Sequence, residues 1–226
     1  MHRIKWLKVE WNQKYNIVID AIINDRYDDK KDYGFKANKR RDGFLNATYI
    51  FKKEIEEVVE NPYTHESIIY QKVVYEQTTF TLEDNHLGIE LHNPPRTVQS
   101  LLNNFASMSK FNITIKPLEL DLFECITRLK THFNNIIVSD IECHNIKIEE
   151  QTIVKLNAKN KLSDALQDIE IFLANKVFTI EKVKCNFIID NISSSFELTR
   201  NGSLKTNESN LKVLLPIIKH VIQSQD

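Results

Sequence analysis

Positive charge is concentrated between Lys30 and Arg41, where six cations stand against one acid, Asp32. Two aromatic residues and a glycine lie among them. Cations neutralise phosphates and flat rings stack on unpaired bases, so this mixture is typical of a nucleic-acid-binding loop. The predicted contacts are Lys30, Lys31, Tyr33, Phe35, Lys36, Lys39, Arg40 and Arg41. The alternative is a solvated loop whose cations are neutralised by flanking acids, namely Asp25, Asp28, Asp29 and Asp42.

The densest set of candidate metal ligands is Asp140, Glu142, Cys143 and His144. Neighbouring side chains on a strand point to opposite faces, so Cys143 and His144 could not both reach one metal without a turn. Asp140, Glu142 and His144 share a face and could together hold a divalent ion. The ordinary alternative is the solvent face of a strand whose inner face is Ile141 and Cys143. Without a partner cluster, we expect no metal and no cofactor.

A second acidic pattern is similar to that of metal-dependent nucleases, which hold Mg²⁺ with strand-borne carboxylates and a nearby lysine. Glu181 and the lysines that follow it contain such a triplet, with Glu119 or Asp140 as the earlier acid. Charged residues make up 27% of the chain, so such triplets also arise by chance. Strand alternation explains this one without catalysis.

Other catalytic signatures do not fit the sequence. Four scattered glycines cannot form a phosphate-binding loop or a dinucleotide fingerprint, and no serine lies in a G-x-S-x-G turn. We interpret His92 and His220 as packed or exposed side chains. Cys125 and Cys185 fall where core residues are expected. The sequence therefore favours a protein without enzymatic activity.

Strands and a few helices must position these residues. Residues 75–117 have the pattern of strand, turn, strand, helix and strand, and residues 152–189 repeat the order strand, helix, strand. These two strand-helix-strand units predict a single α+β domain over residues 1–226, with a mixed or mostly antiparallel sheet and about three helices.

Several local patterns give further expectations. Residues 15–23 are rich in Ile and Val and favour a strand, with a short helix as the alternative. Residues 24–43 predict a long polar loop, and residues 52–60 predict a strand that ends as helix. Asn201-Gly202 separates two alternating runs and predicts a two-residue type I′ hairpin.

The C-terminal segment, residues 208–223, has helical spacing and contains Pro216, which should kink or divide it. Its apolar residues cover more than one face, whereas a helix on a monomer surface needs one stripe. The surplus face predicts either an interface with another subunit or burial in a groove of the same domain. The candidate interface residues are Leu211, Leu214, Leu215, Ile218 and Ile222.

Composition bounds the class of protein. The chain carries 31 acids and 30 Lys and Arg residues, so no strong overall field attracts nucleic acid or anionic membrane. Three widely spaced cysteines argue against a disulfide framework and indicate a reducing compartment. The charged N-terminal residues and the lack of an apolar run of roughly 20 residues predict a cytoplasmic protein without a membrane partner.

These observations favour a non-catalytic intracellular binding protein, a component of a multi-protein complex that contacts a protein partner or itself. Nucleic acid would bind through the basic segment. Abundant Ile, Lys and Asn are typical of AT-rich genes and make an accessory or phage-defence system a conceivable setting. The alternatives are a metal-dependent nuclease and a homo-oligomeric structural protein.

Overall fold

The computed structural model describes residues 1–84, 87–133, 135–149, 152–160, 163–189 and 192–225. The strands in this part of the chain are β1 (His2–Trp11), β2 (Tyr33–Arg41), β3 (Phe44–Glu60), β4 (Ser67–Glu83), β5 (Ile89–His92), β6 (Ile113–Pro117), β7 (Ile137–Glu149), β8 (Thr152–Lys159), β9 (Thr179–Ile189), β10 (Ile192–Thr199) and β11 (Ser203–Thr206). The helices are α1 (Tyr15–Asn24), α2 (Gln99–Met108), α3 (Leu122–His132), α4 (Ala165–Phe172) and α5 (Glu208–Gln223). The predicted α+β class with a mostly antiparallel sheet is confirmed, but the described residues form five helices instead of about three.

Helix α1 was interpreted from sequence as a strand. Its buried residues, Tyr15, Val18, Ile19 and Ile22, lie three or four positions apart and form one stripe of a helix. The Ile and Val content misled the interpretation because β propensity is weak and yields to burial of a complete apolar stripe.

The chain forms two compact units. Val9–Ile115 form one, which we call the N-terminal unit, and Met1–Lys8 together with Lys116–Asp226 form the other, the C-terminal unit. The C-terminal unit is therefore discontinuous in sequence.

In the N-terminal unit, β2, β3, β4 and β5 are neighbours in that order and pair antiparallel. One face of these strands, which we call the core face, carries buried apolar residues. Phe35 and Phe80 lie on this face, and their ring centroids are 5.9 Å and 5.1 Å from that of Phe105 on α2. Helix α1 is attached by Tyr15, whose hydroxyl donates to the Leu82 carbonyl oxygen at 2.9 Å.

The opposite, outer face of the same strands is polar. Asn46 donates to Thr81 at 3.2 Å, and the hydroxyls of Thr48 and Thr79 are 3.3 Å apart. Such cross-strand hydrogen bonds satisfy the polar groups of a half-covered face and fix the strand register.

In the C-terminal unit the strand order is β1, β11, β10, β9, β7 and β8. His2 to Lys5 pair with Thr206 to Ser203, and Ile4 and Trp6 on β1 are fully buried. Helix α3 begins after Asp121, whose carboxylate accepts from the Glu124 N–H at 3.1 Å. This cap satisfies a backbone donor at the helix start.

The hairpin at Asn201-Gly202 differs from the predicted two-residue turn. Thr199 pairs with Ser203, so the loop contains three residues, and of these Gly202 alone has a positive φ, +72°. A type I turn followed by one left-handed residue has this pattern. A Cβ at Gly202 would lie 2.9 Å from the Leu118 Cβ, so close packing also requires glycine.

Two other predicted segments are strands. Residues 33–41, inside the predicted loop 24–43, form β2, and residues 52–60 remain strand to Glu60 instead of ending as helix. Both segments pair with a neighbouring strand over their whole length. Local sequence does not reveal that cross-strand partner. Helix α5, by contrast, has the predicted bounds and continues through Pro216.

Candidate protein-interaction surface

Strands β3 and β4 pair over seventeen positions, from Phe44 with Glu83 to Glu60 with Ser67. Their neighbours are shorter, because β2 reaches β3 only as far as Phe51 and β5 pairs only with Thr79 to Leu82. Residues 52–60 and 67–75 therefore continue as a two-stranded ribbon about 30 Å long, which we call the arm, residues 52–75. No residue of the arm is buried.

The arm ends in a turn built around Asn61. Its side-chain oxygen accepts from the Tyr63 N–H at 2.9 Å, and its backbone carbonyl accepts from the His65 N–H at 2.8 Å. Asn and Pro62 together favour such a turn. The polar tip thus closes a ribbon whose strands are rich in β-branched and aromatic residues.

Large apolar side chains are exposed along the arm on both of its faces. Val58 lies opposite Ile69 on the outer face, and Val59 lies opposite Ile68 on the core face. The exposed set is Ile55, Val58, Val59, Tyr63, Ile68, Ile69, Tyr70, Val73 and Tyr75. Many large apolar side chains exposed on one element are a feature of interaction surfaces.

The two faces of the arm differ in charge. On the core face, Lys53 pairs with Glu76 at 2.6 Å and Lys72 pairs with Glu57, so positive and negative charges balance. The outer face carries Glu54, Glu56 and Glu60, which we call the acidic row. Their partners are Gln71, which donates to Glu56 at 3.0 Å, and His65, which lies 3.1 Å from Glu60. Lys52 is the one cation on this face of the arm, which therefore keeps a negative charge.

Strand β2 carries three exposed cations on the outer face, Lys36, Lys39 and Arg41, which we call the basic row. A bulge at Asn38 aligns them, because strand alternation alone would place Lys36 and Lys39 on opposite faces. With the bulge they lie opposite Thr48, Asn46 and Phe44. The Asn38 side chain donates to Asn46 and Thr48 at 3.1 Å and holds the bulge in place.

The other residues predicted to bind nucleic acid have different surroundings. Phe35 is 2% exposed within the aromatic core, so its role in base stacking is wrong. Arg40 pairs with Asp20 at 2.9 Å and Lys31 with Asp25 at 2.7 Å. Lys30 and Tyr33 remain exposed, Tyr33 by 37%. The predicted neutralisation by flanking acids therefore applies to part of the segment.

The predicted interface on α5 is not a free surface. Leu214, Ile218 and Ile222 are buried within the C-terminal unit, and Leu211 and Leu215 are half-buried. Helices α5 and α3 are adjacent, and Arg128 on α3 donates to the Ser224 carbonyl at 2.8 Å. Burial within the same unit, the alternative explanation of the pattern, therefore applies to Leu214, Ile218 and Ile222, whereas Leu211 and Leu215 stay partly accessible.

The strand-borne acids of the C-terminal unit are paired with cations. Glu142 accepts from Lys182 at 3.0 Å and lies 2.8 Å from His144. Both contacts hold the pKa of Glu142 below its usual value, and the contact with Lys182 has the larger effect. Asp140 is 3.3 Å from Lys159. Across the described ranges, no three His, Cys, Asp or Glu side chains are grouped to hold a metal ion.

The C-terminal unit contains a cleft of about 460 Å³. Glu119, one of the other acids of the nuclease hypothesis, lines this cleft, and Glu181 follows directly after the lining residue Ile180. Arg200 lines this cleft and lies 3.4 Å from Glu181 and 3.6 Å from Glu119. A guanidinium at these distances from two carboxylates offsets part of their charge.

The three cysteines are buried and unpaired. Burial raises the pKa of Cys125 to about 12 and that of Cys143 to about 11, and it raises the pKa of Cys185 as well. Thiols in this state behave as small apolar side chains.

No family model matches the chain, and none of the curated proteins is significantly similar to it. In the part of the chain that the structure describes, no helix has the length and apolar character needed to cross a membrane. The arm is therefore the feature on which a functional argument can be built.

Proposed function

We propose that this protein is a non-catalytic component of a larger assembly and that it docks onto a protein partner through its arm. One observation supports the proposal above all others. Nine large apolar side chains are exposed on a two-stranded ribbon that no other strand of the described chain covers.

The energetics of the arm favour a bound state. An isolated two-stranded hairpin is marginally stable in water because it buries too little apolar surface. Fully burying an exposed Val or Ile contributes about 1.5–3 kcal/mol. Most of these side chains are about half exposed, so covering four would supply roughly 3–6 kcal/mol towards the cost of association.

Backbone groups add a second means of recognition. The two arm strands pair with each other along one edge of each strand. Beyond Lys52, whose N–H donates to the Asp32 carbonyl at 2.7 Å, no described strand pairs with the other edge of either one. Open edges accept an added strand from a partner through main-chain hydrogen bonds. An arm that is apolar on both faces and open on both edges suits a partner that surrounds it.

The test is capture of binding proteins from the native host by the tagged chain. A Val58→Asp/Ile69→Asp variant places two charges on the outer face of the arm and should lose most of the captured protein. Ile153→Asp is the matched control, because Ile153 is also exposed but lies on β8. Circular dichroism should confirm that both variants remain folded. Equal capture by wild type and the arm variant would contradict the proposal.

Nucleic-acid binding is a second candidate function, and the basic row is the observation that favours it. Its three cations share one face and have no carboxylate partner among the described ion pairs. Replacing Lys36, Lys39 and Arg41 with alanine should weaken binding of DNA or RNA for all sequences and flatten its salt dependence. Lys155→Ala on β8 is the control, and an absence of binding by wild type at low salt would reject this function.

A further inference from the structure

The outer face of β2, β3 and β4 carries two rows of opposite charge. The basic row lies beside β3 residues 44–48, and the acidic row lies on β3 at residues 54–60. Both rows project from the outer face. The acidic row consists of even-numbered residues of β3, and the basic row pairs with even-numbered residues of β3. At about 3.4 Å per residue their centres are roughly 35 Å apart. One copy of the chain therefore cannot neutralise its basic row with its own acidic row.

We infer that the partner of the arm is a second copy of this chain, with the acidic row of each copy on the basic row of the other. The inference rests on the proposed function, because it names the partner of the same arm. A two-fold axis across the strands near Phe51 would place Glu54 and Glu56 opposite Thr48 and Asn46 of the second copy. These are the cross-strand neighbours of Lys36 and Lys39. Symmetry repeats the contact, so two copies form a closed pair.

The strip between the two rows carries large side chains suited to the centre of such an interface. Tyr75 is 51% exposed, and its ring centroid lies 6.4 Å from that of Tyr27. Tyr27 lies directly against Gly34, where an added Cβ would be 2.4 Å from the Tyr27 Cα. Ile50 is half-buried beside them. Aromatic residues at the centre with charged residues around them are typical of specific interfaces.

Charge also favours the outer face of the arm over its core face as the surface that contacts the second copy. The core-face ion pairs of Lys53 with Glu76 and of Lys72 with Glu57 already neutralise each other. The outer face keeps opposite charges at its two ends, which is the pattern that an antiparallel second copy complements. Thr81 and Glu90 on this face are buried, whereas the basic row and the arm are accessible.

The strip is also large enough for a specific contact. The two-fold near Phe51 overlays residues 44–58 of β3 on the same residues of the second copy. Fifteen positions give a length of about 51 Å, and two strands give a width of about 10 Å, so each copy offers roughly 500 Å². A pair would bury on the order of 1,000 Å², which is the range of weak, reversible interfaces. We expect a dimer in equilibrium with the monomer.

Analytical ultracentrifugation of the full chain tests the inference. At low salt the wild type should show twice the 26.5 kDa mass of one chain. Raising NaCl from about 0.05 M to about 0.5 M should increase the dimer Kd, because screening weakens charge contacts. Lys36→Glu/Lys39→Glu and Glu54→Lys/Glu56→Lys should each raise the Kd by at least about tenfold.

Mixing separates lost charge complementarity from misfolding. An equimolar mixture of the two charge-reversed variants should recover the dimer, because each arm then faces a β2 row of opposite charge on the other copy. Lys155→Glu, on β8, is the control and should leave the Kd unchanged. A monomeric wild type, a dimer unaffected by both reversals, or a mixture that stays monomeric would each overturn the inference. Loss of other captured proteins in Val58→Asp/Ile69→Asp would then still support the proposed function, whereas unchanged capture would reject both.

Discussion

Within residues 30–41, cations that are neighbours in sequence have different surroundings. Composition predicted the cluster, and it predicted the exposure of Lys30, Lys36, Lys39 and Arg41. It could not show which cations share a face, because that depends on the bulge at Asn38. Nor could it show that Phe35 is buried, since an aromatic residue among lysines suits a binding loop and a core strand equally well.

Phe35 gives a direct test of this difference. We expect Phe35→Ala to lower the free energy of unfolding by about 3–5 kcal/mol, because it empties the centre of the aromatic cluster. Tyr33→Ala, two residues away on the same strand, should cost about 1 kcal/mol or less because that ring is partly solvated. Urea unfolding followed by circular dichroism measures both values. Equal losses would show that Phe35 is not part of the core.

The carboxylate of Glu142 should make stability depend on pH. Its pKa is lowered in the folded state by Lys182 and His144, so it stabilises the fold above the usual carboxylate pKa of 4.5. That contribution is lost as pH falls through the lowered folded value. We therefore expect Glu142→Gln to be less stable than wild type at neutral pH and the difference to shrink in acid. Urea titrations at several pH values measure it, and a difference independent of pH would contradict the ion-pair explanation.

At the level of elements, the sequence predicted what periodicity determines. The bounds of α5 followed from its apolar spacing, and the strand and helix order of residues 75–117 followed from its turn residues. Periodicity failed for the arm because exposure there depends on how far the neighbouring strands extend. Residues 52–60 were also predicted to end as helix, although cross-strand pairing holds them as strand. The arm could not be predicted because its exposure depends on the lengths of β2 and β5.

The arm should exchange its backbone hydrogens faster than the base of the same two strands. We expect amides of residues 54–60 and 67–73 to exchange at least about tenfold faster than those of residues 45–50 and 77–82, because local opening exposes little apolar surface. Hydrogen exchange with mass spectrometry should be run in dilute protein at high salt, where copies do not associate. Uniform protection along both strands would contradict the exposed ribbon.

At the scale of the whole molecule, chain order and spatial order differ. The first eight residues belong to the unit formed by residues 116–226. The alternation of residues 4–11 is typical of an extended strand, but it could not identify β11 as the partner strand. Pairings between distant segments depend on the packing of the complete unit, which no local pattern encodes.

Residues 116–226 should therefore need the first strand in order to fold. When this segment is expressed alone, we expect its free energy of unfolding to be lower by about 5 kcal/mol or more than that of the unit with residues 1–8, since it lacks the buried Ile4 and Trp6. Attaching residues 1–8 through a flexible linker should restore a cooperative urea transition. The same fusion with Ile4→Asp is the matched control and should not restore it. Equal stability with and without the strand would contradict the discontinuous unit.

The pairing of His2 to Lys5 with Thr206 to Ser203 also constrains biosynthesis. The segment that completes the hydrogen bonds of β1 is translated about 200 residues after β1 itself. At roughly 5–20 residues per second, the nascent strand waits on the order of 10–40 seconds. Until β11 has been made, Trp6 and its apolar neighbours lack the strand that pairs with β1 in the folded unit, and we expect the nascent chain to offer a binding site for a chaperone during that interval.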